Sequence, residues 1–344
     1  MNKTKHIVVI RLSAMGDVAM TVPVLRALID QHPDAQITMI SKGHLAPVFE
    51  SLKTVRFFEV DVKHKHKGIL GLWRLFRQLQ KEEITHVADL HNVLRSKILR
   101  LFFRFSLKKV AAIDKGRAEK KALTRSKNKI FKQLKSTHQR YADVFKQLGF
   151  LVDISNPTQL KKPILSKNIT TITGIKDSKK WIGIAPFAQY ASKTYPLDFM
   201  EKVIEKLSEH YHLFLFGGGQ KEIEILTSLE KKHPQTICVA GRLKLKEELD
   251  LISHLDLMLA MDSGNAHFAS MQQIKTITLW GVTHPFAGFA PFGQPVDYCI
   301  LPDLKKYPNI PCSVYGNKVC EGYEEVMYSI KPNTITKKIV SVLN

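Results

Sequence analysis

Three short stretches place residues that could do chemistry on a charged substrate. "MDSGNAHFAS" (261–270) sets Asp262, Ser263, Gly264, Asn265 and His267 within six positions, directly after the apolar run Leu255 to Ala260. Small polar residues between a buried strand and a helix offer backbone N–H groups and a hydroxyl to an anion, and glycine lets it come close. A capped helix with no ligand would look the same. "APFAQYASKTYP" (185–196) carries Ser192, Lys193 and Thr194 ahead of Pro196. A lysine there can meet a phosphate as a point charge, although most loop lysines are merely solvated. "RLSAMGDVAMTVP" (11–23) holds Ser13, Gly16 and Asp17 after the first apolar run. Its aspartate is either the N-cap of a helix or a general base at the edge of a ligand site. "FGGGQKE", ending at Glu222, is a companion glycine-rich loop suited to a nucleotide lying against the backbone. GxxxxGK[ST] is absent, and no GxGxxG follows the first strand, which argues against a P-loop enzyme and a dinucleotide oxidoreductase.

Each stretch needs a strand behind it and a helix ahead. "HIVVIRL", "QITMIS", "VRFFEVD", "HVADLH" and "KKVAAID" read as short buried strands, with helices at Val18 to Gln31 and along Leu70, Leu72, Trp73, Leu75, Phe76 and Leu79. After 151–178, which is rich in Pro, Asn, Ser and Thr, the alternation restarts. "WIGIAPF", "HLFLFGGG", "TICVAG", "LDLMLAMD" and "TITLWG" are the strands; helices are expected at 197–209, 220–232, 246–254 and 265–273. Such alternation predicts α/β architecture with parallel sheets. The boundaries drawn are a first Rossmann-like domain at 1–165, a linker at 166–178 and a second Rossmann-like domain at 179–328. A terminal helix at 329–344 is expected to pack back towards the first domain. Two such domains in tandem would leave a cleft for a ligand.

The chain of 344 residues carries a net charge of +21, which points to an anionic partner: nucleic acid, a membrane surface or a phosphorylated substrate. The excess is local. From Arg95 to Arg140 there are sixteen Lys or Arg residues against Asp114 and Glu119, more one-signed charge than a merely solvated face explains. Nucleic-acid binding would interleave aromatics with these cations, and from 106 to 140 only Phe131 does so. No apolar run approaches the ~20 residues of a membrane span, and "IVVI" is too short for a secretory signal, so a cytoplasmic location is expected. Cys238, Cys299, Cys312 and Cys320 show no CxxC spacing and read as reduced, unpaired thiols, with a local role for Cys312 and Cys320 left open.

"RLSAMGDVAMTVPVLRAL" together with "MDSGNAHFASMQQIKTITLWGVTHP", and the intervening K-x-x-P and GR-x-x-L elements in order, resembles glycosyltransferase family 9, the lipopolysaccharide heptosyltransferases. The resemblance runs over nearly the whole chain. It implies a GT-B fold, two Rossmann-like domains with parallel sheets facing across a cleft, and inverting, metal-independent transfer of a heptose from ADP-heptose to the inner core of lipopolysaccharide. The absence of a D-x-D motif agrees. By the same resemblance Asp17 is the general base and Lys193 the diphosphate-binding lysine. Ser13, Gly16, Thr194, Asp262, Ser263, Gly264 and His267 are grouped with the donor, Arg242 and Leu243 with the adenine, and Glu222 with the ribose. Asp262 would repel a diphosphate, so it is expected to orient Ser263, His267 or backbone N–H groups. Tyr195–Pro196 stands where the family usually has Trp–Pro.

No cofactor and no metal are expected, the ADP-sugar being a substrate. The partners implied are that donor and an anionic glycolipid acceptor at the cytoplasmic face of the inner membrane, with peripheral attachment, no nucleic acid and a monomer as the default state. Arg95, Lys97, Arg100, Arg104, Arg117, Lys120, Lys121 and Arg125 are the candidates for contact with acceptor or membrane. "ILRLFFRF" (98–105) could dip into the interface or be an ordinary packed amphipathic helix. The alternatives are a family 9 transferase using another sugar or acceptor and, in a different class, a basic nucleic-acid-binding protein.

Overall fold

The computed structural model describes residues 5–318 and 320–344, and these divide into two compact units. The first comprises Met1–Lys115 and Thr137–Thr158; the second comprises Gly116–Ser136 and Gln159–Asn344.

The first unit is built on a parallel sheet of β1 (His6–Ile10), β2 (Gln36–Ser41), β3 (Val55–Glu59), β4 (His86–Asp89) and β5 (Lys109–Ala112), in the order β3-β2-β1-β4-β5. β1 and β4 are buried along their whole length, as apolar strands covered by helices on both faces must be. The chain winds outward from β1 to β3 and returns to add β4 on the other side, so the strand order reverses between β1 and β4.

The second unit repeats the plan with β6 (Trp181–Ala185), β7 (His212–Leu215), β8 (Thr236–Cys238), β9 (Leu257–Met261), β10 (Lys275–Leu279) and β11 (Cys299–Ile300), in the order β11-β10-β9-β6-β7-β8. Here the reversal falls between β6 and β9. The helix Leu197–Ser208 starts directly after Pro196 and buries Met200, Val203, Ile204 and Leu207, spaced to keep one face on the sheet. Of the eleven strands among the described residues, ten fall on the runs read from the sequence to within a residue; the two-residue β11 is too short to carry a period.

Three expectations about organisation change. Residues 116–136, assigned above to the first domain, belong to the second unit: Leu123 and Leu134 bury against Ala287, the Leu134 N–H donates to the Phe286 carbonyl, and Lys129 donates to the carbonyls of Asn309 and Pro311. The stretch drawn as a linker contains a helix, Lys167–Thr173, whose first turn is capped by Ser166. The terminal helix Pro332–Leu343, expected to pack towards the first domain, buries Ile335, Ile339 and Val342 in the core of the second unit beside Leu197–Ser208.

Candidate functional site

Ligands of open α/β sheets sit beyond the carboxyl ends of the strands where the order reverses. Each unit places one group of the candidate residues at that point.

In the first unit the chain leaves β1 through Arg11 and Leu12 and enters the helix Met15–Ala19. Buried Arg11 donates to the Leu90 carbonyl at 2.8 Å, at the end of β4, and to Asp17 Oδ2 at 2.5 Å. The same carboxylate accepts the Ala14 N–H at 3.4 Å, so Asp17 does serve the helix start, but the guanidinium is its closer partner. Its side chain stays 30% exposed, which leaves it within reach of a substrate hydroxyl. Ser13, in this loop, and Gly16, beside Asp17 in the helix, were grouped above with the donor and lie in a different unit from Lys193.

Two buried rings beside the pair are neutral. Tyr141 is fully buried and donates its hydroxyl to the Asp17 carbonyl at 3.2 Å, while burial pushes its phenol up and keeps it protonated. Burial, helped by the Arg11 charge, pushes His91 down to about 3, so the ring is neutral near pH 7 and its Nδ1 accepts the Leu12 N–H at 3.4 Å. A carboxylate held by a buried guanidinium, with the Tyr141 phenol and the His91 ring both neutral beside it, can take a proton from a hydroxyl.

In the second unit Asp262 follows β9, and the helix Gly264–Met271 begins two residues later with Ser263 as its N-cap. Lys193, in the loop after β6, sends its ammonium to the Asp262 carbonyl at 2.7 Å, 3.3 Å from Asp262 Oδ2. Asp262 Oδ2 also accepts the Thr283 hydroxyl at 2.9 Å. The expectation that Asp262 orients Ser263, His267 or backbone N–H groups is therefore replaced: it holds Lys193 and Thr283. The reason is tertiary, because the β6 and β10 loops bring those two side chains to the end of β9. Ser263 does not bond back onto its helix as an N-cap usually does, and its buried Oγ has no partner among the described residues. His267 is buried in the first turn of the same helix. Together an ammonium, a spare hydroxyl and a helix N-terminus make a cradle for an anion.

The cradle is braced from a second loop. Ser192 donates to the Gly316 carbonyl at 2.5 Å, and Gly316 (φ +80°) lies so close to the Lys193 stem that an added Cβ would fall 2.6 Å from its Cγ. The loop closes on itself through the Gly316 N–H to Ser313 Oγ at 3.0 Å and a disulfide between Cys312 and Cys320, whose Cα atoms are 6.2 Å apart. This corrects the reading of all four cysteines as unpaired; Cys238 and Cys299 are free. Tyr195 is completely buried and donates its hydroxyl to the Ile330 carbonyl at 2.7 Å, which anchors the far side of the lysine loop.

The other candidates have duties of their own. Thr194 donates to the Tyr190 carbonyl within its own loop. The Glu222 carboxylate accepts the Gly218 N–H at 2.8 Å and so closes the glycine loop. Arg242 is engaged by both oxygens of Glu230, and Leu243 beside it is buried. The basic candidates do not share one surface element: Arg95, Lys97, Arg100 and Arg104 lie in the first unit, Arg117, Lys120, Lys121 and Arg125 in the second. Arg100 pairs with the buried Asp89 at 3.3 Å, and Lys120 is buried with its ammonium 4.0 Å from the Phe289 ring centre. Arg11, Tyr141, His91, Thr283 and Gly316 were missed. A charged residue directly after a buried run was a signal for Arg11, and Thr283 lies inside the quoted "WGVTHP"; Tyr141, His91 and Gly316 had none.

The model of glycosyltransferase family 9 (heptosyltransferase) matches residues 72–313. The chain is 23% identical over 287 residues to the lipopolysaccharide core heptosyltransferase OpsX of Haemophilus influenzae, covering 82% of this chain and 80% of that protein. It is 22% identical to the lipooligosaccharide heptosyltransferase 2 of Campylobacter jejuni, covering 94% and 95%. Among solved structures, a family 9 glycosyl transferase from Veillonella parvula superposes with a TM-score of 0.76 at 21% identity, over 100% of this chain and 98% of that one. The E. coli heptosyltransferase WaaC with ADP superposes with a TM-score of 0.65 at 16% identity, over 98% and 97%.

Proposed function

The chain belongs to glycosyltransferase family 9, the heptosyltransferase family, and is a glycosyltransferase of GT-B fold; on that premise we propose that it moves a heptose from ADP-heptose to the inner core of lipopolysaccharide, inverting the anomeric carbon without a metal. The observation that carries this reading is the cradle of Lys193, Ser263 and the Gly264–Met271 N-terminus at the strand-order reversal. It fits a diphosphate, and the WaaC structures with ADP and with ADP-2-deoxy-2-fluoro heptose support ADP-heptose as the donor.

Asp17 takes the proton of the acceptor hydroxyl. The freed oxygen electron pair forms the new bond to the anomeric carbon as the bond from that carbon to the diphosphate oxygen breaks, and ADP leaves with that electron pair. General-base assistance of this kind is worth about 10²–10⁴-fold. Lys193 and the helix N-terminus stabilise the charge that builds on the departing diphosphate, the work a metal performs elsewhere. Asp262 acts through Lys193, holding its ammonium in place. The acceptor is an anionic glycolipid at the cytoplasmic face of the inner membrane, and the enzyme attaches there peripherally. Among the described residues no helix is long and apolar enough to cross a membrane.

Calorimetry of the pure protein with ADP, UDP, GDP and CMP tests the donor assignment. Selective binding of ADP is expected, whereas preference for another nucleotide would point to a family 9 transferase with a different sugar donor. Turnover unchanged by EDTA is the matching result for metal independence.

A further inference from the structure

The helix Gly68–Leu79 of the first unit buries Leu72, Leu75, Phe76 and Leu79 and turns Ile69, Leu70 and Trp73 outward, 65%, 74% and 45% exposed. The helix Leu94–Phe105 packs beside it and does the same with Leu101 and Phe105, 47% and 77% exposed. Trp73 meets Phe102 edge-on at 5.2 Å, and Phe105 stands one turn on from both Leu101 and Phe102, which brings the outward side chains of the two helices near one another. Large apolar side chains gathered on one face of a soluble unit mark an interaction site.

Within the two helices the charges have one sign, and Asp61 is the acid in the loop ahead of them, tied up by the N–H groups of Lys63, His64 and Lys65. Neither helix contains an acidic residue, while Arg74, Arg77 and Arg104 are exposed among the apolar side chains. A groove of about 570 Å³ beside Trp73 is lined by Arg74, Arg77 and Lys81 with Gln78 and Gln80. The exposed Lys63, Lys65 and Lys67 lie in the loop that enters the first helix. Gly71 lets this loop lie against the helix, since a Cβ there would fall 2.4 Å from the His66 carbonyl carbon.

We propose that the outer face of these two helices is a docking surface for an anionic lipid bilayer, with Ile69, Leu70, Trp73, Leu101 and Phe105 entering the acyl boundary and the arginines meeting lipid phosphates. Ile69, Leu70 and Leu101 are aliphatic and give a base nothing to stack on, whereas an acyl boundary takes these three as readily as the rings of Trp73 and Phe105, which favours lipid over nucleic acid. The inference deepens the peripheral attachment proposed above by giving it a face, and it shifts that role away from the basic segment 117–125, where Lys120 is buried.

Trp73 reports on insertion directly, because the other two tryptophans, Trp181 and Trp280, are buried. The full chain is mixed with phosphatidylcholine vesicles with and without phosphatidylglycerol, and with vesicles whose acyl chains are brominated. Binding that requires phosphatidylglycerol, weakens with salt and quenches Trp73 in brominated vesicles is expected. Leu70→Asp, Phe105→Asp and the pair Arg74→Glu with Arg77→Glu should each lower vesicle affinity about tenfold or more while ADP binding stays unchanged. Binding without quenching, or no binding, overturns the proposal. So does an oligonucleotide bound more tightly than the vesicles through the same arginines, or a dimer that Leu70→Asp dissolves. Vesicle binding by a protein that shows no ADP preference would leave this face standing and remove the donor assignment instead.

Discussion

Lys193 and Asp262 hold each other at the carboxyl end of β9: the ammonium donates to the Asp262 carbonyl at 2.7 Å and lies 3.3 Å from its carboxylate. The pair is nearly closed to water, with side chains 12% and 10% exposed. Its charges therefore act with little screening, and a diphosphate arriving there meets an ammonium already in position.

Replacing that ammonium should weaken nucleotide binding before anything else. Lys193→Ala is expected to raise the ADP dissociation constant about tenfold or more, corresponding to at least ~1.4 kcal/mol. Calorimetry reads this directly; an unchanged ADP affinity would remove Lys193 from the donor site.

Asp17 should behave in the opposite way. Asp17→Asn keeps the shape and loses the base, so turnover should fall about 10²–10⁴-fold while ADP affinity stays within twofold or so. Arg11→Met frees the carboxylate from the partner at 2.5 Å and is expected to lower turnover as well. A single-turnover assay of Asp17→Asn that runs near the native rate would take the residue out of the chemistry.

Gly316 tests the brace over the lysine. An alanine there must adopt φ +80° and set a Cβ 2.6 Å from Lys193 Cγ. Strain of about 1–3 kcal/mol is expected from the backbone alone. Gly316→Ala should thus lower the melting temperature and weaken ADP binding together. Loss of stability with full ADP affinity would show that the lysine stem adapts.

Acid should destabilise the fold through two buried histidines. Burial pushes His91 down to about 3 and His284 down to about 4, in the latter case with help from the Lys129 charge. The unfolded chain takes up protons near pH 6.5 and the folded chain does not, so stability is full above that pH and falls as pH drops towards 3–4. By pH 5 each histidine accounts for about 2 kcal/mol. Urea unfolding across pH 7 to 5 should show this decline, and His91→Gln should flatten it; an identical slope in the variant would rule His91 out as a contributor.

What the sequence determined on its own was whatever depends on neighbours along the chain. "HIVVI", "WIGIA" and "LMLAM" are β-branched or apolar runs suited to a buried parallel strand; Ser263–Gly264 follow the last almost at once, and Asp17 and Lys193 lie in the segments that leave the first two. Their positions at strand ends were therefore legible, as was the family resemblance that their order carries. Partnership between distant segments was not. Arg11 was adjacent to the motif, but nothing local says that its guanidinium, braced by the Leu90 carbonyl 79 residues on, would hold Asp17. Asp262 was read as serving its own helix, and the approach of the β6 and β10 loops gave it Lys193 and Thr283 instead.

The same limit explains the basic segment. Its charge count is a property of composition, yet its place in the second unit rests on Leu123 and Leu134 burying against Ala287, more than 150 residues away. Periodicity reports which face of an element is apolar; it carries no information about which apolar surface will cover it. Long-range burial made that choice, and with it left the Trp73 face of the first unit uncovered.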